Sequence, residues 1–235
     1  MIFLLGGYDL EMLAIKELLD SKGIRYYDKS LSWGAKLSQY KEFFNDKDYF
    51  YAIELEEDVQ PPKYYKLIDH HGKHSDKQSS LEQIAKILNI SLSREQKLIA
   101  ANDSHYIKGL QERGATQEEI NHIRKLDKRV QGITQEDEEL AKKSLNNSPY
   151  VYAHTDKFSA ISDLLIEQYS QYIIYNDTTL SFYGYKITDI IDWLHTKEIQ
   201  EDAYYYGGGK FGFVGIKNNV LSRKKIIELL TEFKK

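Results

Sequence analysis

The 235-residue chain reads as an α/β protein, with a parallel-sheet N-terminal domain flanked by helices and a smaller α/β C-terminal domain. Three observations predict this. Short apolar runs alternate with helical patterns over residues 2–68, the signature of strands joined by crossover helices. A block rich in helix caps follows, and after Pro149 the strand–helix alternation starts again. Carboxylates and histidines gather where the first-half strands end, and open parallel sheets collect ligands at the carboxyl ends of their strands.

The elements follow in order. Ile2–Leu5 is a buried-strand pattern closed by Gly6-Gly7, and Leu10–Ser21 lines Leu10, Leu13, Ile15 and Leu18 mainly along one helical face. Gly23 ends that helix and Ile24–Tyr27 is the next strand. A helix over Leu37–Phe44 leads to the strand Tyr49–Leu55, then the Pro61-Pro62 break, then Lys66–Ile68. Ser80-Leu81-Glu82-Gln83 reads as a capping box for Leu81–Leu88, and Arg94–Ala101 is a further helix. Thr116 and Thr134 cap two more, the last running out near Asn146-Asn147. Pro149 places a domain boundary there, giving domains over 1–147 and 150–235. Beyond it come a strand at Tyr150–Ala153, a helix at Ser159–Tyr169, and Tyr172–Tyr175 hairpinned through Asn176-Asp177 to Leu180–Tyr185. A helix at Asp189–His195, strands at Ala203–Tyr206 and Phe211–Ile216 around Gly207-Gly208-Gly209-Lys210, and a helix over Ser222–Phe233 complete the pattern.

Composition narrows the chemistry. There is no cysteine, so disulfides, thiolate metal sites, iron–sulfur clusters and cysteine nucleophiles are excluded together. With 32 basic and 36 acidic side chains the formal net charge is −4, and neither half is a basic arm. That argues against a protein held on long duplex DNA by charge. No segment approaches the roughly 18–20 apolar residues of a membrane span. The apolar start reads as a strand rather than a signal peptide, which makes the expected location cytoplasmic.

Four clusters carry metal-type ligands at predicted strand ends or loops. They are Asp9 with Glu11, Glu54, Asp69-His70-His71, and Asp103 in the stretch after the Arg94–Ala101 helix. Any one alone is an ordinary solvated loop group, and Asp-His-His alone is a helix cap with two imidazoles. Their combination in this order points to a divalent cation, since oxygen and imidazole donors without sulfur suit Mn²⁺ or a similar ion. Three glycines at 207–209 suit close backbone approach to an anion, with Lys210 adding charge, though a hairpin loop has the same composition. Trp33 reads as a packed core residue first, with contact to a base or sugar beside Lys36 as the alternative, and Arg113, Arg124 and Arg129 read as solvated helix residues.

Leu67-Ile68-Asp69-His70-His71-Gly72 resembles the signature of the DHH phosphoesterase superfamily. The ordered set extends the resemblance over most of the chain. Asp9-Leu10-Glu11 is similar to that family's first motif, Glu54 stands for the lone aspartate of its second, and Asp103 matches its fourth. Gly207-Gly208-Gly209-Lys210 resembles the Gly-Gly-Gly-His of the DHH-associated C-terminal domain. The chain departs from the pattern at Leu5, where the family has a histidine, at Glu11 and Glu54, where it has aspartates, and at Lys210. His74 and His105 are candidate replacement ligands.

The resemblance implies a Mn²⁺-dependent phosphoesterase with two ions, Mg²⁺ or another divalent ion being an alternative, and an active site in the cleft between the domains. Asp9, Glu11, Glu54, His70 and Asp103 would hold metal. Asp69 would accept a hydrogen bond from His70, and His71 would face the substrate. Gly207, Gly208, Gly209 and Lys210 would bind it. The even charge distribution favours a small phosphodiester, such as a short oligonucleotide, dinucleotide or cyclic nucleotide, with a homodimer allowed. The alternatives are a phosphomonoesterase or pyrophosphatase, and a non-catalytic nucleotide- or phosphate-binding protein.

Overall fold

The structure is a computed structural model that describes residues 1–185, 187–200, 203–208, 211–217 and 228. By compactness the chain falls into two units, Met1–Gln131 and Gly132–Lys235. In the first, β1 (Ile2–Leu4), β2 (Tyr26–Tyr27), β3 (Phe50–Ile53) and β4 (Tyr65–Ile68) form a sheet in the order β2-β1-β3-β4, every pair parallel. All four strands therefore end on the same edge, and that edge carries the ligand-bearing turns.

Successive strand residues face opposite sides of a sheet. Ile2, Leu4, Phe50 and Ala52 pack into one cluster with Leu37 and Tyr40 of the 3₁₀ segment Leu37–Phe43. Phe3 and Ile53 alternate with them and are equally buried, so apolar matter covers both faces, as a parallel sheet requires. Tyr40 is wholly buried, and its hydroxyl donates to the Leu5 carbonyl at 2.6 Å, which satisfies the phenol in the core. The predicted helix over 37–44 is thus a 3₁₀ turn anchored by one aromatic residue.

Four helices complete the unit: α1 (Leu10–Ser21), α2 (Ser80–Ile87), α3 (Arg94–Glu112) and α4 (Gln117–Val130). α1 packs against the other three, and α2 lies on β4. Ser93 and Thr116 close capping boxes with Gln96 and Glu119. For α2 the cap is Ser79 rather than Ser80, because only the Ser79 frame puts Glu82 at the third helical position, where its N–H reaches the hydroxyl at 3.2 Å.

The second unit holds α5 (Gln135–Ser144), β5 (Tyr150–Tyr152), α6 (Phe158–Leu165), β6 (Tyr172–Tyr175), β7 (Thr179–Gly184), α7 (Ile187–Thr196), β8 (Tyr204–Gly208) and β9 (Gly212–Lys217). Its sheet runs β5-β6-β7-β9-β8, with β5–β6 parallel and the other pairs antiparallel. α5 packs against α6 and belongs with this unit, ahead of the Pro149 position. Asn176 makes the β6–β7 turn as predicted, its side-chain oxygen accepting the Thr178 and Thr179 N–H groups. α7 packs on this sheet around Ile190, Trp193 and Leu194. The Ser222–Phe233 helix lies outside the described residues apart from Glu228. Among those residues no helix is long and apolar enough to cross a membrane.

Candidate metal centre

Each ligand-type side chain at the carboxyl edge is held by local backbone chemistry. A Cβ on Gly6 would stand 2.4 Å from the Ile53 carbonyl oxygen and 3.0 Å from that of Glu54, so only glycine lets the turn after β1 lie on the end of β3. Two residues past Gly7, Asp9 caps α1, its Oδ1 accepting the Met12 N–H at 2.7 Å. Glu11 follows in the first helical turn, 1% exposed, with Oε1 accepting the Leu81 N–H of α2 at 3.2 Å.

Glu54 leaves β3 with φ +51°, a left-handed conformation that costs a non-glycine residue free energy and is kept where the surroundings dictate it. Its N–H still donates to the Ile68 carbonyl at 2.9 Å, so the break from strand geometry comes one residue past the ladder. Asp69-His70-His71 leave β4 at the matching level. The Asp69 Oδ1 accepts the His71 backbone N–H at 2.9 Å, and Gln83 of α2 holds the Asp69 carbonyl at 3.2 Å.

These turns bring five side chains together. His70 Nε2 lies 2.7 Å from Asp103 Oδ2 and 3.4 Å from both Glu11 Oε2 and Glu54 Oε1. His71 Nε2 lies 3.4 Å from Glu54 Oε2, and the two imidazoles lie ring against ring with centroids 4.2 Å apart. Glu54, His70, His71 and Asp103 each offer a ligand atom within 4.8 Å of the others. Glu11 Oε2, Glu54 Oε1, His70 Nε2 and Asp103 Oδ2 are all buried, and none has a directed hydrogen-bond partner. Native interiors seldom leave a buried polar atom unpaired, so four in one place need a further group to satisfy them. A divalent cation fits this donor set.

The electrostatics of the metal-free site agree. Burial pushes the Glu11 carboxyl up to about 7, and the nearby Asp103 carboxylate adds to it. Burial, then Asp103 and Glu54, drive the Asp9 carboxyl well above its usual range. For His70, burial works to discharge the imidazole, but Asp103, Glu11 and Glu54 outweigh it and hold the proton far above the ordinary histidine range. Burial opposes ionisation of Glu54 too, and its contacts with His70 and His71 reverse this, holding it well below the usual carboxylate range. Without metal, protons occupy the place that a cation would take.

The structure thus gathers Glu11, Glu54, His70, His71 and Asp103. Asp9 stands beside them, partly exposed, and its Oδ1 is engaged in capping α1. Asp69 departs from its predicted role: its carboxylate binds the His71 backbone and not the His70 ring, because a short aspartate just before a turn reaches the N–H two residues on. His74 ends the 3₁₀ turn Gly72–His74 outside the cluster, and His105 lies outside it as well. Asp103 sits within α3 rather than in a loop, since the helix runs past Ala101 and kinks only at His105 and Tyr106.

Gly207 and Gly208 belong to β8, paired with Phe213 and Gly212, rather than to an open loop. A Cβ on Gly207 would lie 2.9 Å from the Phe213 ring and one on Gly212 2.4 Å from the Gly207 oxygen, so these glycines serve close strand packing. Gly209 and Lys210 lie outside the described residues. Trp33, predicted to be core, is 71% exposed, in the loop whose backbone borders the Gly7 turn. Gly6 and Gln83 are supports that residue type alone did not single out, and Arg124, predicted to be solvated, is 4% exposed.

These features define a carboxylate–imidazole cluster, of a kind that could hold a divalent cation, at the carboxyl edge of a parallel sheet. No family model and no curated protein matches the chain. Among solved structures, a crystal structure of exonuclease RecJ bound to manganese aligns over 92% of this chain and 85% of that one, at 10% identity and a TM-score of 0.38.

Proposed function

We propose that the protein is a divalent-cation-dependent phosphoesterase of the DHH kind, acting on a small phosphodiester such as a dinucleotide, cyclic nucleotide or short oligonucleotide. The observation that carries this reading is the convergence of four buried, unpaired ligand atoms from Glu11, Glu54, His70 and Asp103. Those residues, with Asp9 beside them, would hold the metal, Mn²⁺ in the first instance. When bound, the cation supplies Lewis-acid polarisation of the phosphoryl group and a nucleophile at neutral pH.

The chain's own residues supply the rest. His71 is the more exposed imidazole, and Glu54 and Asp103 outweigh the effect of burial to hold it protonated up to about 9. This imidazole would face the substrate and donate to a phosphate oxygen or the leaving group. Asp69 serves it by fixing its backbone at the start of the turn. A substrate-binding role for Gly207, Gly208, Gly209 and Lys210, as the resemblance implies, is part of this proposal. The exposed indole of Trp33 favours a ligand with a stacking base.

Turnover of an aryl phosphodiester with Mn²⁺, compared with the matching monoester, tests this reading. Mn²⁺-dependent release from the diester, absent in a His70→Ala variant, is the expected result. Preference for the monoester moves the assignment to a phosphatase, and metal binding without turnover leaves a binding protein.

A further inference from the structure

A second buried cluster stands directly behind the metal centre. Arg124 of α4 is 4% exposed, unusual for arginine, and its guanidinium faces α3. Its Nη1 donates to Asn102 Oδ1 at 2.9 Å and to Asp127, while Nη2 donates to the Tyr106 hydroxyl at 3.2 Å. The guanidinium also lies over the Tyr106 ring, 4.2 Å from its centroid. Gln131 steadies the Asp127 carboxylate at 2.9 Å. Arg124 thus grips α3 at residues 102 and 106, on either side of Asp103.

The gripped segment is the irregular part of α3. His105 and Tyr106 leave helical geometry, Tyr106 with φ +58° and ψ −146°, a region that a tyrosine occupies only under constraint. On the other side, a Cβ at Gly109 would meet the Ala101 carbonyl oxygen at 2.2 Å, so the two halves of the helix press together there. A strained conformation persists where neighbours over-determine it, and such places cluster at functional sites. Here the strained turn comes three residues after Asp103, which approaches His70 more closely than the other carboxylates do.

We propose that Arg124 is a positioning residue for the metal centre: by clamping Asn102 and Tyr106 it holds the kink of α3 and so aims the Asp103 carboxylate at the cation. The inference rests on the metal-centre reading above. A planar, five-donor guanidinium serves three acceptors and a ring at once, which the point charge of a lysine cannot do.

Mn²⁺ affinity by isothermal titration, paired with thermal unfolding of the metal-free protein, tests the proposal on Arg124→Lys, Tyr106→Phe and Asp103→Asn. Arg124→Lys keeps the charge beside Asp127, and loss of a partner that orients a ligand weakens metal binding by roughly 10- to 100-fold. A fall of that order is expected, with the metal-free unfolding temperature close to that of the unsubstituted protein. Tyr106→Phe, which keeps the ring and loses only the hydroxyl, should show a smaller fall in the same direction. Unchanged affinity in both variants overturns the proposal. So does an affinity loss that merely follows lost metal-free stability. If Asp103→Asn itself leaves Mn²⁺ affinity intact, the metal-centre reading fails first, and the role of Arg124 falls with it.

Discussion

His70 Nε2 and Asp103 Oδ2 stand 2.7 Å apart, yet neither completes a directed hydrogen bond. Two atoms at that distance without a directed bond between them would suit co-ligands of one cation. The nearby oxygens of Glu11 and Glu54 are unpaired in the same way.

A cation that binds only the folded chain stabilises it by mass action, about 2.7 kcal/mol at 100 times its dissociation constant. Addition of Mn²⁺ should therefore raise the melting temperature of the chelator-stripped protein. His70→Ala should abolish the rise. A His70→Ala protein that still gains stability from Mn²⁺ removes this residue from the ligand set.

The metal-free protein should lose stability as pH rises from about 5 to 9. Glu11 is raised from 4.5 to about 7 in the fold, so between those values the folded chain holds the extra proton and loses stability as pH rises. His71, raised from 6.5 to about 9, stabilises below the lower value and ceases to do so through the upper one, in the same direction. Glu54, held low, acts oppositely and only in acid, where its stabilisation is lost as pH falls. Chemical denaturation at stepped pH should show the decline, and Glu11→Gln should flatten its lower half. A metal-free stability that increases over this range contradicts the assigned electrostatics.

His71→Ala should lower kcat by roughly 10²–10⁴-fold, the usual contribution of a positioned proton donor. Its effect on Mn²⁺ affinity should be smaller than that of His70→Ala. Equal losses of affinity in the two variants would make His71 a ligand instead.

Gly6→Ala should destabilise the protein by about 1–3 kcal/mol, the range for overpacking, because the new methyl meets the Ile53 carbonyl at 2.4 Å. The turn carrying Asp9 and Glu11 must then separate from Glu54, so Mn²⁺ affinity should fall too. Urea unfolding and metal titration check the two parts separately.

Trp33→Ala leaves the core untouched, since the side chain is 71% exposed. Base–aromatic stacking is worth about 1–3 kcal/mol, so KM for a base-bearing diester should rise about tenfold or more. KM for a small alkyl diester should stay the same. Equal effects on both substrates would separate Trp33 from substrate selection.

Much of the first unit is legible from residue pattern, because strand alternation, cap residues and the Asp69-His70-His71 spacing are all local. What escaped was set by distant partners. Asp103 is a loop residue by the local pattern after Ala101, but the helix runs through it, with Gly109 close against Ala101 and Arg124 bonded to Asn102 and Tyr106. Glu54 reads as a strand end, with nothing nearby to announce its left-handed backbone. Gly207 and Gly208 read as loop residues by composition, but in β8 they pair with Phe213 and Gly212. Trp33 reads as core yet is exposed, while Tyr40, which no local pattern singles out, takes a core place against Leu5.

The 3.2 Å bond from the Leu81 N–H to Glu11 ties the first turn of α2 to the charge state of the site. A proton on that carboxylate weakens its pull on the amide, and its replacement by a bound cation redistributes the pull again. The Leu81 amide is therefore a natural gauge, and its hydrogen-exchange rate reads site occupancy from the backbone without substrate or turnover.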